Sequence, residues 1–142
     1  MFAFVLGFLI FYFHFPGFIF NQGRESSSSQ AVQQKWEART DDQGSVTVTV
    51  TPIDLSPQAK EWTFDIAMST HSIELQSPAT STVLIDDQGK EYKPLSWNGP
   101  TEGHHMNGIL TFSVIMPLPK SIELKISSPG DAVRSFMWQI KE

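Results

Sequence analysis

From residue 44 onward, hydrophobic residues recur at every second position, and this period constrains the fold more than any other feature. In the segment SVTVTVT, Val46, Val48 and Val50 alternate with threonines. The same alternation returns around Trp62 and, near the last residues, around Trp138, and we expect both tryptophans to anchor the core. A period of two places one side of a segment in a core and the other in solvent, which is typical of antiparallel strands.

Six alternating segments follow one another, with prolines and turn residues between them. They are SVTVTVT, KEWTFDIAMS, STVLIDDQGKEY, NGILTFSVIM, KSIELKIS and RSFMWQI. The prolines lie between these segments or at their ends, where strands tolerate them. The sequence therefore predicts an all-β domain over residues 44–142. We expect an immunoglobulin-like antiparallel β-sandwich of about seven strands, with a small barrel as the alternative.

The first twenty residues have a different character. The segment MFAFVLGFLIFYFHFPGFIF contains no Asp, Glu, Lys or Arg. As a helix, residues 2–20 would span roughly 28 Å, close to the hydrocarbon thickness of a bilayer. His14 and Pro16 interrupt the apolar run, but the segment lacks the basic start and the small-residue cleavage site of a signal peptide. We therefore predict a hydrophobic membrane-anchor helix at residues 1–20, with a signal segment as the alternative.

Residues 21–43 are predicted to be a flexible linker. They begin with NQGRESSSSQAVQQK, which is polar and contains four consecutive serines. Such a composition favours a tether over a packed element. The anchor, the linker and the β-domain together predict a single-pass protein of the cell membrane with its domain on the extracytoplasmic side.

Charge and cysteine content exclude several classes of protein. The net charge of −5 belongs to residues 21–142, and these show no basic stripe, so we expect no nucleic-acid partner. The sequence has no cysteine, which excludes disulfides, thiol catalysis and a blue-copper site. It has no Gly-x-Ser-x-Gly turn and no glycine-rich phosphate loop, so we do not expect an enzyme.

Three histidines are candidate metal ligands. His71 follows the second predicted strand, and the adjacent His104 and His105 precede the fifth. Because successive antiparallel strands alternate in direction, strand counting places all three at one end of the sandwich, together with Trp97 and Asn98 as binding residues. Imidazole nitrogens suit copper and zinc. The histidines therefore form a metal site, only hold the loops together, or recognise another ligand or a protein.

Residues 84–112 resemble a pattern found in small prokaryotic proteins of unassigned function, each with a membrane anchor and one β-domain. The pattern is D-x-x-G-x-x-Y-x-P-x-x-W-x-G followed by G-H-H-x-x-G-x-L-x-F. It falls on Asp86, Gly89, Tyr92, Pro94, Trp97, Gly99, Gly103, His104, His105, Gly108, Leu110 and Phe112. FDIAMSTHSIEL and RSFMWQI are also similar, and Glu102 stands where the pattern has a glycine. The resemblance implies the architecture over residues 44–142 and no particular activity.

These observations lead to one functional prediction and one alternative. We predict a membrane-tethered, outward-facing binding or accessory module that takes a transition metal through His71, His104 and His105. The alternative is a structural or assembly domain that contacts a membrane protein partner, in which the histidines only stabilise loops.

Overall fold

A computed structural model of the chain describes residues 36–130 and 132–140, and these form eleven β-strands and one 3-10 turn, Pro78–Thr80. The strands are β1 (Arg39–Gln43), β2 (Val46–Asp54), β3 (Glu61–Thr70), β4 (Leu75–Gln76), β5 (Thr82–Asp86), β6 (Glu91–Tyr92), β7 (Ser96–Asn98), β8 (Glu102–Gly103), β9 (His105–Ser113), β10 (Ser121–Ile126) and β11 (Arg134–Gln139). The all-β prediction is confirmed for these residues. Within them, no helix is long and apolar enough to cross a bilayer, and the predicted anchor at residues 1–20 lies outside the described ranges.

The strands form three antiparallel sheets. Five strands pair in the order β1-β2-β3-β9-β7, four in the order β11-β10-β5-β6, and β4 pairs with β8. Every second residue of the long strands is buried, as the period of two requires. Buried residues of the two larger sheets belong to one hydrophobic core, so these sheets make up a sandwich.

The two predicted tryptophan anchors lie in that core. Trp62 of β3 is fully buried, and its indole N–H donates to the carbonyl of Ser56 at 3.0 Å. Trp138 of β11 is 3% exposed, and its ring centroid lies 5.8 Å from that of Phe64 on the facing sheet. Each indole therefore contributes apolar area to the core while its one polar group is satisfied.

The folded domain begins earlier than residue 44, which corrects the predicted extent of the linker. Residues 39–43 form β1, whose five residues pair with β2 from Arg39 opposite Val50 to Gln43 opposite Val46. Before β1, the indole of Trp36 is 8% exposed and belongs to the core. The segment RTDDQ lacks apolar alternation because β1 is an edge strand with both faces largely in solvent. Of the predicted linker, residues 21–35 lie outside the described ranges.

A buried arginine joins the edges of the two larger sheets. Arg134, the first residue of β11, is 1% exposed and donates to the carbonyls of Pro129, Gln43 and Val46 at 2.8 to 3.2 Å. Its Nε lies 3.1 Å from a carboxylate oxygen of Asp41 on β1. These two atoms are close enough for an ion pair, although the N–H direction does not make a hydrogen bond. The guanidinium therefore ties β1 and the β1–β2 turn to β11.

Candidate functional site

The main-chain ladder between β3 and β9 brings His71 and His105 together. Ser69 of β3 lies opposite His105, the first residue of β9, and the amide of Thr70 donates to the carbonyl of His104 at 2.9 Å. His71 follows immediately after β3. Its ring centroid lies 5.8 Å from that of His105, with the ring planes at 73°. Both side chains are exposed, so the pair faces solvent at the end of the sandwich.

The third predicted ligand, His104, lies between β8 and β9. Its carbonyl is held by Thr70 and its side chain is exposed. Strand counting correctly placed all three histidines at one end, but only His71 and His105 form a ring pair. In residues 36–130 and 132–140, no three His, Asp or Glu side chains form a group that could hold a metal ion.

A short ladder between β4 and β8 fixes the two histidine loops to one another. Leu75 of β4 is fully buried and lies opposite Gly103 of β8. Gly103 has φ +149°, a conformation that favours glycine over residues with a side chain. One step beyond the ladder, the amide of Ser77 donates to the carbonyl of Thr101 at 2.9 Å. The loops that carry His71 and His104 therefore share a buried leucine and main-chain hydrogen bonds.

Two carboxyl groups flank this ladder. Glu74 precedes β4 and Glu102 begins β8, and both side chains are exposed. A hydrogen bond between the two carboxyl groups and the negative charge of Glu74 raise the pKa of Glu102 above its ordinary value of 4.5. The described loop residues at this end contain no lysine or arginine. The described loops at the histidine end therefore carry acidic side chains and no basic ones.

Trp97 and Asn98, the predicted binding residues, belong to the edge strand β7. Trp97 lies opposite Leu110 and is partly buried against the core, and its indole N–H donates to the carbonyl of Pro100 at 2.8 Å. Asn98 is exposed and lies opposite Ile109 of β9. Both residues therefore lie alongside the middle of β9, and they are not part of the pair that His71 and His105 form.

A depression on the outer face of the five-stranded sheet extends from His105. Its volume is about 310 Å³, and its polar lining is Thr47, Thr49, Ser69, His105 and Asn107. Within this face, the side-chain amide of Asn107 donates to the carboxylate of Asp65 at 3.2 Å. Asp65 therefore lies on the outward face of β3.

The first half of the family-like pattern folds as a hairpin turn between β5 and β6. The Asp86 carboxylate accepts hydrogen bonds from the amides of Gln88 and Lys90, both at 2.9 Å, and from the Tyr92 hydroxyl at 3.0 Å. Gly89 has φ +82°, which the turn requires. Burial alone would raise the pKa of Asp86, but these hydrogen bonds outweigh it and lower the pKa. Burial and the hydrogen bond to Asp86 raise the pKa of Tyr92.

Comparisons with known proteins reveal no family for this chain. No family model matches it, and no curated protein matches it. Among solved structures, a DUF4426 family protein from Pseudomonas aeruginosa PAO1 is 9% identical, with 72% of this chain and 92% of that chain covered and a TM-score of 0.43. The secreted protein MPT63 from Mycobacterium tuberculosis is 15% identical, with 74% and 92% covered and a TM-score of 0.41. Structural similarities this weak support no conclusion about function.

The sequence did not predict that Glu74 and Glu102 contact one another. The two residues are separated by 27 intervening positions that include β5, β6 and β7, and nothing in the spacing signals their meeting. Only the short β4–β8 ladder, which places Gln76 opposite Glu102, brings them together. Strands of two residues carry no periodicity that could have been recognised.

Proposed function

We propose that this protein is a membrane-tethered, outward-facing β-sandwich module that binds a transition-metal ion, copper or zinc, at its histidine end. The observation that supports the proposal is the exposed ring pair of His71 and His105, with centroids 5.8 Å apart. Copper and zinc both accept imidazole nitrogen, and two imidazoles on a firm backbone offer a two-point attachment. The tether in this proposal is the hydrophobic segment at residues 2–20.

The separation of the two rings is close to what a shared ion needs. Two imidazoles that bind one zinc ion at about 2.0–2.1 Å have their ring centroids roughly 5 Å apart at a tetrahedral angle. The observed separation is 5.8 Å. Because both side chains are exposed, a small rotation about their side-chain bonds closes the difference. The β3–β9 ladder pairs His105 with Ser69, two residues before His71, so the two histidines are diagonal neighbours.

Local charge also supports a cation as the ligand. Glu74 and Glu102 stand at the same end of the domain, and the described loop residues there include no basic side chain. Charges of one sign around a site raise the local concentration of the opposite ion, although salt screens the effect beyond about 10 Å at 0.1 M.

The first described residues lie at the end of the domain away from the histidines, which supports the proposed outward presentation of the histidine pair. The described residues begin at Trp36. The carbonyl of the next residue, Glu37, accepts a hydrogen bond from the indole N–H of Trp138 at 2.7 Å, so Trp36 lies near Trp138. Trp138 lies opposite Ile122, at the end of β10 away from the histidines. Trp36 therefore lies at the end of the domain opposite the histidine pair. We include the extracytoplasmic location and an immunoglobulin-like assignment of the sandwich in the same proposal.

Calorimetric titration of the full-length chain in detergent with Cu(II) and Zn(II) tests the metal site. We expect micromolar or tighter binding that is lost in His71→Ala and in His105→Ala. The matched control is Ser72→Ala, an exposed neighbour that should bind as the parent does. The variant His104→Ala tests whether the third histidine contributes to metal binding.

Absence of binding in the parent chain would refute the metal proposal. If the histidine variants also melted well below the parent, the histidines would be loop supports. The alternative of a structural domain for a membrane protein partner would then take its place.

A further inference from the structure

The histidine pair supplies half of a zinc coordination shell. Protein-bound structural zinc is almost always tetrahedral and takes four ligands. His71 and His105 offer two imidazoles, and in the described ranges neither Glu74 nor Glu102 joins them in a group able to hold an ion. An ion bound by the pair therefore has two positions left for ligands from elsewhere.

We propose that a second copy of this chain fills those positions, so that one Zn²⁺ binds His71 and His105 from each of two copies. This inference rests on the proposed function. A two-fold axis through the ion would make the contact self-complementary, as in the common symmetric dimers, with the same four side chains arranged around it. The two domains would then meet end to end through their histidine loops.

Exposure and backbone restraint make the pair suited to this contact. Both rings are exposed at one end of the sandwich, where β3 ends and β9 begins, so a second domain can reach them. The Thr70–His104 hydrogen bond and the Ser69–His105 pairing fix the main chain beneath them. A pair held in this way loses less conformational freedom on binding than two side chains on mobile loops would.

The charge at this end makes the contact depend on the ion. Two copies that meet end to end bring Glu74 and Glu102 of each domain into one region, and like charges disfavour the encounter. A divalent ion at the centre offsets part of that repulsion. The contact between the two copies should therefore form only when zinc is present, and the two chains should separate again when zinc is removed.

Sedimentation velocity of the full-length chain in detergent, with zinc chloride as the titrant, tests this inference. We expect the protein mass to rise from that of one 16.0 kDa chain to that of two. The rise should be complete at one ion per two chains and should reverse with a chelator. His71→Ala and His105→Ala should keep the mass of one chain, whereas Ser72→Ala should dimerise normally. Far-UV circular dichroism of each variant verifies that it is folded.

Four results would overturn the inference, and they separate it from the proposal on which it rests. Binding of one ion per chain with no change in mass would refute the shared ion and leave metal binding intact. Doubling of the mass without zinc, or doubling that persists in both histidine variants, would refute it in the same way. No zinc binding at all, by calorimetry on the same samples, would refute this inference and leave the proposed function only a copper site to be tested.

Discussion

The indole of Trp97 occupies the space in which a side chain at position 108 would lie. A β-carbon on Gly108 would stand 2.7 Å from Cη2 of the indole and 2.6 Å from the carbonyl oxygen of Asn98. Gly99 meets the same ring, since its β-carbon would lie 2.5 Å from Cζ2. One tryptophan and two glycines of the family-like pattern therefore form a single packing unit, which holds β7 against β9.

We expect Gly108→Ala to lower the free energy of unfolding by about 1–3 kcal/mol, the usual range for overpacking. The added methyl group meets main-chain atoms of Asn98 and Gly99, which cannot rotate away as a side chain would. Urea denaturation measures the change. Ser113→Ala, at the exposed end of the same strand, is the control and should shift stability by less than about 0.5 kcal/mol. Equal stability of the two variants would contradict the close packing.

We expect Arg134→Met to cost about 3–5 kcal/mol, because it leaves the carboxylate of Asp41 without its counter-charge and three carbonyl groups without their donor in a partly buried place. Arg39 provides the comparison, since its ion pair with Glu37 spans 3.6 Å between exposed side chains. Arg39→Gln should cost less than about 1 kcal/mol. Denaturant titration of both variants distinguishes the two kinds of arginine. A similarly small loss of unfolding free energy in both variants would contradict a stabilising role for the buried guanidinium of Arg134.

Glu102→Gln should raise the melting temperature at pH 7 and have no such effect at a pH below 4.5. The folded state raises the pKa of Glu102, so folding favours the protonated form. The stability due to this group is fully present below pH 4.5 and declines as the pH rises through the raised pKa. Glutamine removes the repulsion at neutral pH. Melting curves across this range, with Glu91→Gln on exposed β6 as the control, measure the effect. A difference in melting temperature between Glu102→Gln and the parent that stays constant at all pH values would contradict this prediction.

Asp86→Ala should lower the melting temperature at neutral pH, and the difference from the parent should narrow in acid. The pKa of Asp86 is lowered, so its stabilising effect is present above pH 3.8 and is lost as the pH falls through the lowered value. The exposed neighbour Gln88 supplies the control variant, Gln88→Ala, which keeps the main-chain amide that Asp86 binds. A difference that instead grew in acid would show that the charged carboxylate is not what secures the turn.

Much of the architecture could be predicted because the long strands bury one face. In β2, the positions of Val46, Val48 and Val50 that alternate in the sequence are the buried ones in the structure. Strand counting also placed His71 and His105 at the same end. It succeeded because β3 and β9 are antiparallel neighbours, so the end of one lies beside the start of the other.

The features that could not be predicted are in segments whose local sequence shows no alternation of buried and exposed residues. The edge strand β1 is polar, and its place depends on Arg134, a residue about ninety positions away. The sequence does contain a sign that Arg134 is buried. In the alternation of β11 it falls on the same face as Phe136 and Trp138, which is the buried face. A charged residue on an apolar face is a sign of a buried partner, and here that partner is Asp41.

The contacts of β11 with the segment that contains β1 also bear on how the domain is made. Arg134 and Gln43 are 91 positions apart, and Trp138 and Glu37 are 101 apart, yet each pair is hydrogen-bonded. On a ribosome, residues 37–46 are synthesised well before the residues that hold them. Contacts between such distant positions form slowly, because a long loop must close first. The β1 strand should therefore remain open to proteases during translation and become resistant only once β11 has emerged.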